Sequence, residues 1–71
     1  MAPMRHPLRV AAENGRPASV QHLLNLGADP NLTDSRNRTP LQLSREGQRS
    51  YPTNPGYAKV QAILKPVTTD S

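Results

Sequence analysis

The chain has 71 residues, enough for a single small domain. It has no cysteine, which excludes disulfides and thiolate metal sites, and its only aromatic residues are Tyr51 and Tyr57. Nine Lys and Arg against five acids give a formal charge of +4, but the basic residues are spread along the chain, a balance that bears on partners and not on fold.

Met1 to Arg9 contains no apolar run, so it does not read as a secretory signal. Arg5 and Arg9, with no acid among them, hint at an organelle-directed segment, whereas Pro3 and Pro7 oppose the amphipathic helix such a segment forms. No apolar stretch nears the ~20 residues that cross a bilayer, so membrane insertion is not expected. An intracellular setting follows, with cytoplasm and mitochondrion both open. The opening Met1 and the short polar tail Thr68–Ser71 read as a complete small protein, although an excised or engineered repeat fragment would look the same.

Prolines then mark helix starts. Pro7 opens a first helix through Leu8, Val10, Ala11 and Ala12, closed by Asn14-Gly15, and His6 is placed to cap it. Pro17 opens a second, closed by Gly27, with Val20, Leu23 and Leu24 at i, i+3, i+4 on one face. Asp29 to Thr39 is a loop. Thr39 caps a third helix, with Pro40 at its first position and Gly47 at its end. Arg49 to Pro55 reads as loop by composition. Asn54 caps a fourth helix that starts at Pro55, buries Tyr57, Val60, Ile63 and Leu64, and stops at Pro66. Helices this short are unstable alone and depend on packing against one another.

The chain repeats itself. A shift of 33 lays Pro7-Leu8 on Pro40-Leu41 and Val10 on Leu43. The second helices match at a shift of 40, with Val20, Leu23 and Leu24 on Val60, Ile63 and Leu64. The difference is an insertion near Arg49 to Pro55.

In this order, Pro7-Leu8, Ala11-Ala12, Gly15, Val20, Leu23-Leu24, Gly27-Ala28-Asp29 and Asn31, then Asp34 and Thr39-Pro40-Leu41, resemble the ankyrin repeat. Residues 5–48 follow the pattern and 56–65 resume it. Met4 and His6 depart from the glycine and threonine of the first repeat. Asn37, Arg45 and Gln48 depart from glycine, alanine and glycine in the second, and Asn37 suits a turn because asparagine tolerates positive φ. The resemblance implies an all-α fold of helix-turn-helix repeats, two helix pairs joined by a β-hairpin-like finger loop. The domain plan is one unit, 1–71: repeat one 5–33, repeat two 34–66 with insertion 49–55, and a flexible tail 67–71. In physical terms, Ala11, Ala12 and Ala18 allow close helix approach, Leu8, Val20, Leu23 and Leu24 fill the space between helices, Gly15 and Gly27 supply left-handed C-caps, and Asp34 closes its own backbone turn.

The resemblance implies partner contact at the finger tip, here Ser35, Arg36, Asn37 and Arg38, and along the concave face lined by the first helices, here Arg9, Glu13, Asn14, Arg45 and Glu46. Two arginines near the inner face could grip a carboxylate or phosphate. Tyr51, in the insertion with no helical face of its own, is a candidate interface anchor or a ring lying on the core, while the spacing of Tyr57 to Val60 and Leu64 places it in the core. His22 reads as an exposed helix residue. Asn31-Leu32-Thr33 and Asn37-Arg38-Thr39 fit the glycosylation acceptor pattern, but both asparagines already have turn roles.

Nothing points to catalysis: there is no Gly-rich phosphate loop, no carboxylate pair with a nearby base and no strand-to-helix serine elbow. No cofactor, metal or small-molecule substrate is expected. Arrays of this kind usually need three or more repeats to bury a continuous core, and this chain has two. A partner is therefore expected to complete the surface, making the chain a small accessory subunit docked in a larger protein complex. The alternative is a basic RNA- or ribosome-associated protein, which the charge favours and the lack of stacking aromatics or a clustered basic stripe opposes.

Overall fold

The computed structural model describes residues 7–69, so the expected cap at His6 and the organelle-like features of Met1 to His6 lie outside the described residues. Four helices follow one another: α1 (Pro7–Glu13), α2 (Pro17–Asn25), α3 (Pro40–Ser50) and α4 (Gly56–Leu64), with a 3₁₀ turn at Lys65–Val67. Among the described residues there is no strand. α1 pairs with α2 and α3 with α4, and the pairs stack so that α1 lies on α3 and α2 on α4.

Local chemistry sets most of these boundaries. Proline starts α1, α2 and α3, where its missing N–H costs nothing. Thr39 and Gln42 form a reciprocal capping box: the Thr39 hydroxyl accepts from the Gln42 amide at 3.3 Å, and Gln42 Oε1 accepts from the Thr39 amide at 2.9 Å. Gly15 and Gly27 take φ of +64° and +97° just past α1 and α2, the left-handed closure expected of them. The 33-residue echo holds, since α1 and α3 begin at Pro7 and Pro40. The 40-residue echo holds too, since Val20 and Val60 are both fully buried.

The core gathers Leu8, Ala11 and Ala12 of α1, Val20 of α2, Leu41 of α3, and Val60 and Leu64 of α4, with Leu23, Leu24, Ala28 and Ile63 packed against it. Tyr57 is 2 % exposed, as its spacing predicts. Ala18, expected between helices, is exposed instead. Leu26 is 70 % exposed, and Leu32 and Val67 also face solvent.

Other boundaries differ from the expected ones. Gly47 does not end α3, which runs on to Ser50. A Cβ at Gly47 would overlap the Tyr57 ring and come within 2.9 Å of the Glu13 carbonyl oxygen, so this glycine serves close approach inside a helix. The loop of the insertion is correspondingly shorter, beginning at Tyr51 rather than Arg49. α4 starts at Gly56, one residue after the expected Pro55, although Asn54 still accepts from the Gly56 amide at 2.8 Å. α4 does end ahead of Pro66, at Leu64, and Pro66 sits inside the following 3₁₀ turn, where its ring fits a first-turn position. After α4 the Thr68 hydroxyl donates to the Leu64 carbonyl at 2.7 Å, and the Thr69 amide donates to Asn31 Oδ1 at 2.8 Å.

Candidate functional site

The finger loop between α2 and α3 is built on side-chain-to-backbone bonds rather than on a ladder. Asp34 Oδ1 accepts from the amides of Arg36 (2.8 Å) and Arg38 (2.9 Å), closing the turn expected of this residue. The Asn37 amide donates to the Asp34 carbonyl at 3.0 Å, with Asn37 itself at φ +60°. A second backbone bond, from the Asp34 amide to the Arg38 carbonyl at 3.0 Å, joins the two sides.

Arg38 then fastens this loop to α3. Its Nε and Nη2 donate to Asp34 Oδ2 at 3.0 and 2.9 Å, and its Nη1 donates to Glu46 Oε1 at 2.6 Å. The Arg38 amide, above the other bonds it receives, holds the Asp34 carboxyl down at about 2. In turn the Asp34 carboxylate, first among its partners, raises the Arg38 guanidinium further.

Between the finger, α1 and α3 lies a concave surface made of two adjoining hollows. One, of about 400 Å³, is lined by Arg9, Val10 and Glu13 of α1, by Ser35 and Arg38 of the finger, and by Leu43 of α3. The other, of about 300 Å³, continues past Glu13, Arg38 and Leu43 to Asn14, Glu46, Ser50 and Tyr51. Buried Leu43 underlies both. Tyr51 is 62 % exposed yet lies parallel to the Tyr57 ring, at 6.5 Å between centroids and 6° between planes. It is thus both a ring resting on the core and an open face. Burial, with lesser contributions from Tyr51 and Glu13, pushes the Tyr57 phenol up.

The structure brings Arg9, Glu13, Asn14, Ser35, Arg38 and Tyr51 to this surface. Arg36, Asn37 and Arg45 are exposed but line neither hollow. The engagement of Arg38 with both Asp34 and Glu46 was not legible in the sequence, because Glu46 lies eight residues away across a loop and a helix start. His22 is exposed, as expected. No group of three or more His, Cys, Asp or Glu able to hold a metal ion occurs among the described residues.

A sequence model of the family described as ankyrin repeats (many copies) matches residues 3–44, more than half of the chain. The chain belongs to the ankyrin-repeat family. In ankyrin terms the match covers α1, α2, the finger and the opening of α3, and stops before the insertion and α4. The ankyrin pairing continues there all the same, with α4 packed on α3 and α2. No solved structure matches this ankyrin-repeat chain. Ankyrin repeats are generally protein–protein interaction modules, and the family is typically non-catalytic. No helix among the described residues is long and apolar enough to cross a membrane.

Proposed function

We propose that this ankyrin-repeat chain is a small accessory subunit that docks onto a larger protein through the concave surface between its finger, α1 and α3. One observation carries the reading: residues from separate parts of the sequence, Arg9 and Glu13 on α1, Ser35 on the finger and Tyr51 after α3, line one continuous hollow surface over buried Leu43. The finger is already held to α3 through Arg38, so little ordering remains to be done on binding, and pre-organisation of this kind favours affinity. The small core, built from two repeats, agrees with a chain that gains from being covered.

The test is gentle purification of the native protein beside a Ser35→Trp variant, whose bulk would fill the hollow. Native protein is expected to co-elute with a larger protein, and the variant to elute alone with an unchanged circular dichroism spectrum. Co-elution of both forms would show that the hollow is not the contact surface. The +4 charge favours a rival, contact with RNA phosphate. Binding to RNA that falls steeply with salt would establish it, because each neutralised phosphate releases a counterion.

A further inference from the structure

The chain is basic as a whole, but the Tyr51 end of its concave surface is not. Arg38 is the cation in that hollow, and its charge is already met twice, by Asp34 and by Glu46. Glu13 adds a third carboxylate, exposed and with no ion-pair partner among the described residues. α3, eleven residues long, ends in Ser50, which lines this hollow, and the C-terminus of a helix carries partial negative charge. Arg49 in its last turn and Arg45 one turn earlier do not line the hollow. Tyr51 presents an open aromatic face, held in place by parallel packing on buried Tyr57. Aromatic faces attract cations within about 6 Å of the ring.

Carboxylates in excess, a helix C-terminus and a fixed tyrosine face share one complement. We infer that the hollow bounded by Glu13, Glu46, Ser50 and Tyr51 receives a lysine or arginine side chain from an extended segment of the partner protein. This rests on the docking surface proposed above and names the chemistry of what it docks. It departs from the expectation that Arg9 and Arg45 of the inner face grip an acidic group: Arg45 lines neither hollow, and Arg9, one helical turn before Glu13, lines the adjoining hollow beside Ser35 rather than the one that holds Tyr51. A segment lying along the surface would place its basic side chain at the Tyr51 end and keep acidic groups toward Arg9.

The experiment selects peptides from a random displayed library against the full chain, then repeats the selection on Glu13→Lys, Tyr51→Ala and Ser35→Trp variants. All three positions are exposed, and circular dichroism verifies that each variant keeps its helices. Peptides from the unaltered chain are expected to share one Lys or Arg position. Replacing that residue by Ala, or Tyr51 by Ala, is expected to weaken binding about tenfold, as loss of a charge-assisted contact does. Selection on Glu13→Lys is expected to lose the basic position. Peptides that bind and are blocked by Ser35→Trp, yet share no basic residue or ignore Glu13→Lys, would overturn the basic-side-chain inference and leave the docking surface standing. Peptides indifferent to all three variants, or no peptides at all, would overturn both.

Discussion

The Tyr57 hydroxyl donates to the Glu13 carbonyl oxygen at 2.7 Å, across 44 residues of sequence. Glu13 is the last residue of α1, where carbonyls have no partner within the helix. A side chain of the second repeat thereby caps the first helix of the first repeat. The same ring fills the space against Gly15 and Gly47, so a single residue joins α1, α3 and α4.

Tyr57→Phe is expected to lower stability by about 1 kcal/mol, the ordinary worth of one such bond, with the packing kept. Tyr57→Ala should cost about 3–5 kcal/mol and leave the chain largely unfolded. The phenol also carries a pH signature. Its pKa is raised in the folded chain, so its contribution is complete below the ordinary value of 10 and is lost as pH rises beyond that, where the unfolded chain ionises first. Urea titrations at neutral pH and above pH 10 should show an alkaline loss from this group that Tyr57→Phe lacks.

Gly47→Ala separates two roles for this glycine. In an isolated helix, alanine would be favoured by roughly 1 kcal/mol. Here the added Cβ meets the Tyr57 ring and the Glu13 carbonyl, so the substitution is expected to destabilise by about 1–3 kcal/mol, the range for overpacking. Thermal unfolding decides, and a rise in Tm would show that the ring can move aside. Gly47→Ala with Tyr57→Phe should remain destabilised, because the ring stays.

Asp34 should make the finger acid-sensitive. Its carboxyl falls from 3.8 to about 2 on folding, so its contribution is complete above about 4 and is lost as pH drops toward about 2. Amide exchange at Arg36 and Arg38, both bonded to this carboxylate, is the direct readout. Relative to the intrinsic rate at each pH, it should quicken across that interval in the unaltered chain. In Asp34→Ala it should be fast throughout, and Arg38 should lose its link to the loop.

Asn37 occupies φ +60°, the left-handed region. Asn37→Gly is therefore expected to be neutral or slightly stabilising, and Asn37→Val to cost about 1–2 kcal/mol, since a β-branched residue fits that region poorly. Chemical denaturation of both variants checks the ordering. Equal midpoints would show that the turn relaxes to another conformation.

Much of this architecture could be read from residues that act locally. Proline at a helix start, glycine just past a helix end and the Thr39–Gln42 box each act within a few residues, so α1, α2 and the beginning of α3 stand where the pattern puts them. At Gly47 a distant group intervenes. Gly47 looked like a helix end because glycine usually is one, but its neighbour is a ring ten residues on, beyond a loop. Ala18 looked like a spacer because it is small, yet it is exposed.

The helix-turn-helix repeat, the 33-residue echo and the membership of the ankyrin-repeat family are written in the order of the residues, because they follow from periodic burial and from caps that act at short range. How the charged groups beside the finger pair with one another emerges only on folding. Charge counting treats every arginine alike, but folding brings Asp34 and Glu46 to either side of Arg38 and leaves Glu13 beside the Tyr51 face. The sign of charge that a surface offers depends on which groups are already paired, and that pairing exists only once the finger has folded against α3.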